Sequence, residues 1–242
     1  MTFAFINDVA GYPPVEGGPI AVPASLAALP IAPGFLAAGI DQIQGAGEFV
    51  FARANGSIRQ FGLCTLLPVW SSVTNTYTYN ALEVANSANL AQPLCVSQAV
   101  LTVGQYGWFQ VQGVTPISAQ ASVAAGVTMG IAAAGQVGAN SAGKQVLNSV
   151  CVAASTLAVV KAGNGNIGDT RINVPNTAGL FLGMALTGTG VGAGVISALD
   201  PLGMYILNTV ANSAAVAGNV TATATGFVVG FINRPFAQGA IT

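Results

Sequence analysis

The G-x-G-x-x-G spacing of Gly163, Gly165 and Gly168 is the feature of this chain that most resembles a cofactor-binding motif. In dinucleotide-binding domains such glycines let the pyrophosphate approach the backbone, and a helix follows at once to point its N-terminus at the phosphate. Here DTRINV and Pro175 follow, and they favour a strand. We therefore predict a turn at this position and no nucleotide cofactor.

Catalysis by side chains has few candidate groups in this sequence. The absence of histidine excludes Ser-His-Asp and Cys-His arrangements, as well as histidine-based metal sites. Most of the carboxylates stand beside Gly, Pro or Asn, where a carboxylate commonly caps a turn. The seven are Asp8, Glu16, Asp41, Glu48, Glu83, Asp169 and Asp200. We predict a non-enzymatic protein without catalytic, cofactor-binding or metal-ligating residues.

The cysteines Cys64, Cys95 and Cys151 are odd in number and include no C-x-x-C pair. This usage is typical of a chain made in a reducing cytoplasm, where thiols serve as small buried apolar groups.

The low content of charged residues limits the possible partners. Charged residues make up 5% of the 242 residues, against about 25% in an average soluble domain. An uncharged surface costs little free energy to desolvate, which favours a protein that is covered by neighbouring subunits. The six cations are too scattered to bind a phosphate backbone or an anionic membrane surface. We predict neither nucleic acid nor a membrane as a partner.

The high apolar content nevertheless raises the question of a membrane segment. Residues 121–139 are uncharged and about long enough to span a bilayer, but they lack Leu and Phe and are interrupted by glycines. No basic segment opens the chain, so a secretory signal peptide is not expected. A membrane-associated surface protein remains a further alternative.

Residues 1–44 are rich in Pro, Ala and Gly, and proline at this density blocks helices and sheet interiors. We predict an extended arm that lies on the protein's own core or on a neighbouring subunit. A disordered tail is the alternative, which the apolar content disfavours. The interface candidates in the arm are Pro23, Leu26, Leu29, Ile31, Phe35 and Leu36.

Residues 45–155 and 224–242 are predicted to form a β-rich core domain. GEFVFARA and SIRQFGLC flank Asn55-Gly56, a pair typical of the type I′ turn in a β-hairpin. Further strands are predicted at residues 76–84, 96–103, 108–114 and 226–235, the last ended by Pro235.

Tyr106, Trp108 and Phe109 form the densest aromatic cluster. We predict that they occupy a core strand or a subunit-interface strand, since aromatic residues favour both, and we include them among the interface candidates. Stacking on a sugar or a base is the alternative.

Residues 156–223 are predicted to form a small β-module inserted into the core domain. Asp200-Pro201-Leu202-Gly203 fits a type I turn. Short strands are expected in LAVVKA, DTRINV, GMALTG, AGVISALD, GMYILN and GNVTATA. Because no segment has an apolar stripe at helical spacing, the fold should be mainly β. We expect a β-barrel or β-sandwich core with an extended N-terminal arm and this inserted module.

The order of motifs resembles the capsid decoration, or cement, proteins of tailed bacteriophages. The motifs are GEFVFARANGSIRQFG, then PLCV at 93–96, GQYGWFQVQG, and the Ala/Gly-rich ASVAAGVTMG with AAAGQVG. The resemblance covers about residues 47–155 and the strand at 226–235. AGLFLGMALTGTGVGAG in the module is similar to small β-inserts of phage head and tail proteins.

This resemblance implies a virion structural protein, made in the host cytoplasm and located on the capsid surface, without catalytic residues. Its partners would be the major capsid protein and its own copies in a homo-oligomer, often a trimer. A structural or adhesive tail or fibre component, in which the module binds a host receptor, is the open alternative.

Overall fold

The structure, a computed structural model, describes residues 3–5, 32–41, 45–71, 76–121, 123–153, 156–177, 180, 183–200 and 202–240. All regular secondary structure in these ranges is β-strand, which confirms the predicted mainly β class. The chain divides into two compact units. Phe3–Ser155 and Gly226–Thr242 form the larger unit, and Thr156–Thr225 form the inserted module.

The larger unit is built around one curved sheet. Its strands, numbered along the chain, are β1 Phe3–Phe5, β2 Leu36–Asp41, β3 Gly45–Ala54, β4 Leu63–Ser71, β5 Thr76–Glu83, β6 Leu94–Ser97, β7 Tyr106–Ser118, β8 Met129–Ala133, β9 Gln136–Ala139, β10 Val146–Ala153 and β17 Phe227–Ala237. Nine of them join in the order β1-β2-β3-β5-β4-β6-β7-β17-β10, and β8 pairs separately with β9.

Five strands of this sheet close into a ring, because β3 also pairs with β7. β3 binds β7 along one edge, and its other edge is shared by β2, over residues 45–50, and β5, at Arg53 and Ala54. Side chains from one face of all five ring strands therefore meet inside. Together with Ile58 and Leu101, which pair with each other outside these strands, they form the core cluster Val50, Ala52, Ala54, Ile58, Cys64, Leu66, Ala81, Cys95, Leu101, Phe109 and Val111, with Tyr79 packed against it.

The opposite face of β3 and β7 is also buried. Phe51 and Trp108 are register partners whose ring centroids lie 5.3 Å apart, edge to face, and Tyr106 stacks on Phe51 at 5.9 Å. Phe49, on the same face of β3, has no exposed surface. A strand with apolar side chains on both faces is typical of burial from both sides.

The predicted hairpin at Asn55-Gly56 is wrong. Neither residue has the positive φ that a type I′ turn requires, and β3 pairs with β2, β5 and β7 instead of β4. The N–H groups of Ala54 and Asn55 donate to the carbonyls of Gln105 and Ala81, at 2.7 and 2.8 Å. Tertiary hydrogen bonds therefore override the local turn preference.

The other predicted strands of the core agree with the structure in part. The strand at 76–84 corresponds to β5, and 108–114 lies within β7, but the strand predicted at 96–103 ends at Ser97. β17 continues past Pro235 to Ala237. It does so because its register with β10 shifts between Ile232 and Phe236, where Arg234 adopts a φ of 50°. A proline is tolerated at such a bulge because the bulged residues do not need to donate a hydrogen bond to the neighbouring strand.

The uncharged segment at 121–139 contains the antiparallel pair β8 and β9. None of the described segments is a helix with the length and apolarity needed to cross a membrane.

The turn between β8 and β9 contacts an ion pair, and we expect Gly135→Ala to destabilise the larger unit. Gly135 has a φ of 67°, and an added Cβ would lie 2.6 Å from the Glu83 carboxyl carbon. That carboxylate binds the Arg59 guanidinium at 2.8 and 3.0 Å. The substitution should cost about 1–3 kcal/mol for backbone strain, with a further cost for displacing the carboxylate.

Gly126→Ala is the matched control, because Gly126 has a φ of 80° with nothing within 4 Å of an added Cβ. Urea unfolding should show a larger decrease in the free energy of unfolding for Gly135→Ala than for Gly126→Ala. Equal losses would mean that the contact with Glu83 contributes nothing.

The inserted module is a six-stranded antiparallel sheet. Its strands are β11 Thr156–Gly165, β12 Arg171–Asn173, β13 Ala185–Gly188, β14 Ile196–Leu199, β15 Tyr205–Asn208 and β16 Val216–Thr225, in the order β13-β16-β11-β12-β15-β14. Each lies within or overlaps one of the six predicted segments. Thr156 and Thr225 are register partners, so the chain enters and leaves the module at adjacent points. The Gly203 N–H donates to the Asp200 carbonyl at 2.8 Å, the closing hydrogen bond of the predicted turn.

Candidate functional site

The largest exposed aromatic feature of the described chain is the end of the β4–β5 hairpin. Residues 67–70 are all exposed, and they pair only with residues 77–80 of β5. We call these two segments the exposed ribbon. The rings of Trp70 and Tyr77 are register partners with centroids 4.9 Å apart, and 49% and 65% of their surfaces remain exposed. Val69 and Leu67 are exposed on the other face.

The exposed ribbon extends the ring core into solvent. Because side chains alternate along a strand, Trp70 and Tyr77 lie on the same face as Leu66 and Ala81, which are inside the ring. Residues 67–80 of the sequence include no charged residue. Exposed aromatic side chains on a segment without charged residues are typical of the centre of a protein–protein interface.

The structure describes two of the six interface candidates of the arm. Phe35 and Leu36, at the start of β2, are 38% and 46% exposed. The preceding Gly34 packs against the ring of Tyr79, at the base of the exposed ribbon. Pro23, Leu26, Leu29 and Ile31 lie outside the described residues.

The aromatic cluster of β7 is in the interior of the chain. Tyr106, Trp108 and Phe109 are 4%, 3% and 0% exposed. Phe109 points into the ring, and the other two pack outside it against Phe51. These three side chains therefore have no surface on which a sugar, a base or another subunit could stack.

A second candidate site is an open groove of about 540 Å³ on the inserted module. It lies on the exposed face of β11, β12 and β15, beside the turn at Asp200, and this volume is within the range of small-molecule sites. Its lining residues are Ala162, Gly163, Asn164, Arg171, Asn173, Val174, Pro175, Asp200, Leu202, Met204 and Tyr205. We call it the module groove.

Arg171 is the cation of the module groove. Its guanidinium carbon lies 4.1 Å from the centroid of the Tyr205 ring, and its Nε donates to Asn173 Oδ1 at 2.9 Å. Asp200 is 7% exposed, and its Oδ2 accepts a hydrogen bond from the Met204 N–H at 2.9 Å. The groove therefore presents an oriented guanidinium to solvent, whereas its carboxylate stabilises a turn.

The glycine motif lies at one side of this groove. Gly163 lines it and belongs to β11, and Gly168 lies in the turn before β12 with a φ of 82°. A strand follows the loop, as predicted, so the motif does not have the geometry of a dinucleotide site.

Besides Asp200, three carboxylates make contacts that stabilise the fold. Glu83 binds Arg59, and Glu48 accepts a hydrogen bond from Arg234 Nη2 at 2.8 Å. Asp169 accepts from Asn166 Nδ2 at 3.3 Å within the turn. In the part of the chain that the structure describes, no three His, Cys, Asp or Glu side chains come together in a way that could hold a metal ion.

The three cysteines are free and buried, as the sequence predicts. Cys64 and Cys95 are register partners on β4 and β6, inside the ring. Burial raises the pKa of both thiols and also raises the pKa of Cys151.

We expect iodoacetamide at pH 8 to leave all three cysteines unmodified in the native protein and to modify all three in urea. The thiolate is the nucleophile, so a raised pKa lowers the reactive fraction at this pH, and burial blocks access as well. Mass spectrometry after timed labelling measures the effect. Rapid native labelling of Cys64 or Cys95 would contradict the closed ring.

Comparison of the chain with protein-family models, curated proteins and solved structures finds no match. The candidate sites therefore depend on their own geometry.

Sequence reasoning missed Trp70 and Tyr77, and it gave no role to Arg171 and Tyr205. The available signal for the first pair was an uncharged stretch with aromatics on both sides of a Ser/Thr/Asn segment. Arg171 and Tyr205 are 34 positions apart, and no local pattern indicates that β12 and β15 bring them together.

Proposed function

We propose that this chain is a non-enzymatic structural protein of a virus particle, of the capsid decoration class. It binds the lattice of the major capsid protein and its own copies on the capsid surface. The observation that carries the proposal is the exposed ribbon, since an uncharged aromatic hairpin end is suited to insertion between neighbouring subunits. The motif order of residues 47–155 supports the decoration class.

The low charge of the chain supports permanent coverage by protein. With six cations and seven anions in 242 residues, copies repel one another weakly and few ions must be desolvated on contact. Burying about 100 Å² of apolar surface from each ribbon aromatic would contribute roughly 2.5 kcal/mol per ring. Many such contacts on a symmetric lattice add together through avidity.

Sedimentation and shell binding test this proposal. The purified chain should sediment as a small closed oligomer, a trimer in our proposal. It should also bind, at a fixed stoichiometry, emptied heads assembled from the major capsid protein encoded in the same genome. A monomer that does not bind such heads would refute the proposal.

A tail or fibre adhesion protein is the second candidate, and the module groove favours it. In that case the chain would remain with tails when heads and tails are separated. Immunodetection in the two fractions distinguishes the candidates.

A further inference from the structure

We propose that the module groove is a binding site for a carboxylate-bearing sugar of the uronic or sialic acid type. The groove lies wholly within Thr156–Thr225, so this inference does not depend on attachment to a shell. It gives the inserted module a ligand-binding role in addition to the structural role of the larger unit.

The first argument is the fixed orientation of the Arg171 guanidinium and the N–H groups that it leaves available. Stacking on Tyr205 and the hydrogen bond from Nε to Asn173 hold the plane of the guanidinium. Its Nη atoms have no hydrogen-bond partner among the described residues. A guanidinium fixed in this way presents parallel N–H groups that match the two oxygens of a carboxylate.

The second argument is the unused polar groups beside this cation. Within the described ranges, the side-chain amide of Asn164 and the hydroxyl of Tyr205 make no hydrogen bond. Together with the Asn173 amide nitrogen, they offer hydrogen-bond donors and acceptors in the lining of the groove. A ring that carries several hydroxyls as well as a carboxylate can use all of these groups.

The apolar rim supplies the rest of the surface. Leu202 and Met204 are 83% and 61% exposed, and they stand on the same side of the groove as the turn at Asp200. A sugar ring has an apolar face of C–H groups that can cover such side chains while its polar edge binds Arg171.

A peptide fits this groove less well. The groove lies over the face of the sheet, where β12 pairs with both β11 and β15, so it does not offer a strand edge for main-chain hydrogen bonds. Asp200, the carboxylate of the lining, is buried and hydrogen-bonded to the backbone. Arg171 is therefore the charge that selects the ligand.

Binding of the full-length protein to an array of uronic and sialic acid oligosaccharides tests the proposal. The array carries each oligosaccharide beside its carboxyl-reduced counterpart and includes a peptide with a free C-terminal carboxylate. We expect binding to at least one acidic oligosaccharide and at least tenfold weaker binding to its carboxyl-reduced form. Arg171→Gln should weaken binding at least tenfold, and Arg171→Lys should also weaken it because the planar fork is lost.

Lys161→Gln is the matched control, since it removes one positive charge from β11 outside the groove lining. Lys161 donates to Asn176 Oδ1 at 2.6 Å, and its loss should leave sugar binding unchanged. The proposal is overturned if no acidic sugar binds, if carboxyl reduction has no effect, or if the peptide binds instead. The proposal would also be overturned if Arg171→Gln and Lys161→Gln lowered the affinity for the acidic oligosaccharide equally. Shell binding is measured on the same preparations. Its outcome tests the proposed structural function and does not depend on whether the module groove binds a sugar.

Discussion

Replacing Trp70 and Tyr77 together by serine should weaken self-association and shell binding at least a hundredfold. Both rings are half-exposed at the end of the exposed ribbon, and no charged residue stands near them in sequence. Buried aromatic anchors dominate interface energies, and the loss of two should cost about 3 kcal/mol or more, which is roughly a hundredfold in affinity. Sedimentation equilibrium measures the first effect, and cosedimentation with emptied heads measures the second.

The same double variant should fold normally. Trp70 and Tyr77 pack against each other and are not members of the core cluster, so the loss of stability should be about 0.5–1.5 kcal/mol for the aromatic pair, beyond the effect of the apolar area that they bury. Val100→Ser with Val103→Ser is the matched control, because these side chains are 62% and 64% exposed on the loop before β7. If both double variants associate like the unmodified chain, the exposed ribbon is not the contact surface.

Replacing Phe109 by alanine should have the opposite effects from the Trp70 and Tyr77 double variant. We expect a large loss of stability and no separate effect on self-association or shell binding. Phe109 has no exposed surface and belongs to the core cluster inside the ring, to which all five ring strands contribute. Removing such a ring from a closed core should cost about 3–5 kcal/mol, because the cavity cannot collapse. That is a large part of the 5–15 kcal/mol that typically stabilises a domain.

Urea unfolding followed by tryptophan fluorescence measures this loss. Both tryptophans, Trp70 and Trp108, belong to the larger unit, so the signal reports on the ring and not on the module. Phe231→Ala is the control, since Phe231 is 41% exposed on β17. This variant should lose less than half as much unfolding free energy as Phe109→Ala. A loss below about 1 kcal/mol for Phe109→Ala would contradict the closed core.

The module is the part of the fold that local sequence predicted best. Its strands are short, antiparallel and separated by turns rich in Gly, Asn and Pro, whose backbone preferences act over a few residues. The hydrogen bond between Gly203 and Asp200 forms as the sequence of the turn predicts. Local sequence did not predict the strand order, because only β11–β12 and β14–β15 pair as neighbours along the chain, whereas β11–β16, β13–β16 and β12–β15 do not.

The hairpin predicted in the larger unit was wrong because the pairings that close the ring, β3–β5, β3–β7 and β4–β6, are not between neighbouring strands. Asn55-Gly56 prefers a tight turn, yet Asn55 binds Ala81 and Ala54 binds Gln105. Closing the ring satisfies more backbone groups and buries more apolar surface than an isolated hairpin would. The local signal was overridden for that reason.

The candidate sites likewise depend on tertiary structure that the local sequence does not show. Aromatic residues are favoured in cores and in interfaces alike, so the sequence could not separate Trp108, which is 3% exposed, from Trp70, which is 49% exposed. Only the point at which β4 and β5 leave the ring distinguishes them. The module groove likewise requires β12 to pair with β15, which brings Arg171 over Tyr205.

Residue types and their local order alone determined the mainly β class, the turns of the module, the buried state of the thiols and the scarcity of charge. These properties depend on the chemistry of single side chains and on backbone preferences over two to four residues. The tertiary structure decided the closure of the ring, which aromatic residues are covered, and where Arg171 meets Tyr205. Those outcomes depend on which distant strands pair, and pairing is chosen by the total surface buried and hydrogen bonds made, a sum that no short segment contains.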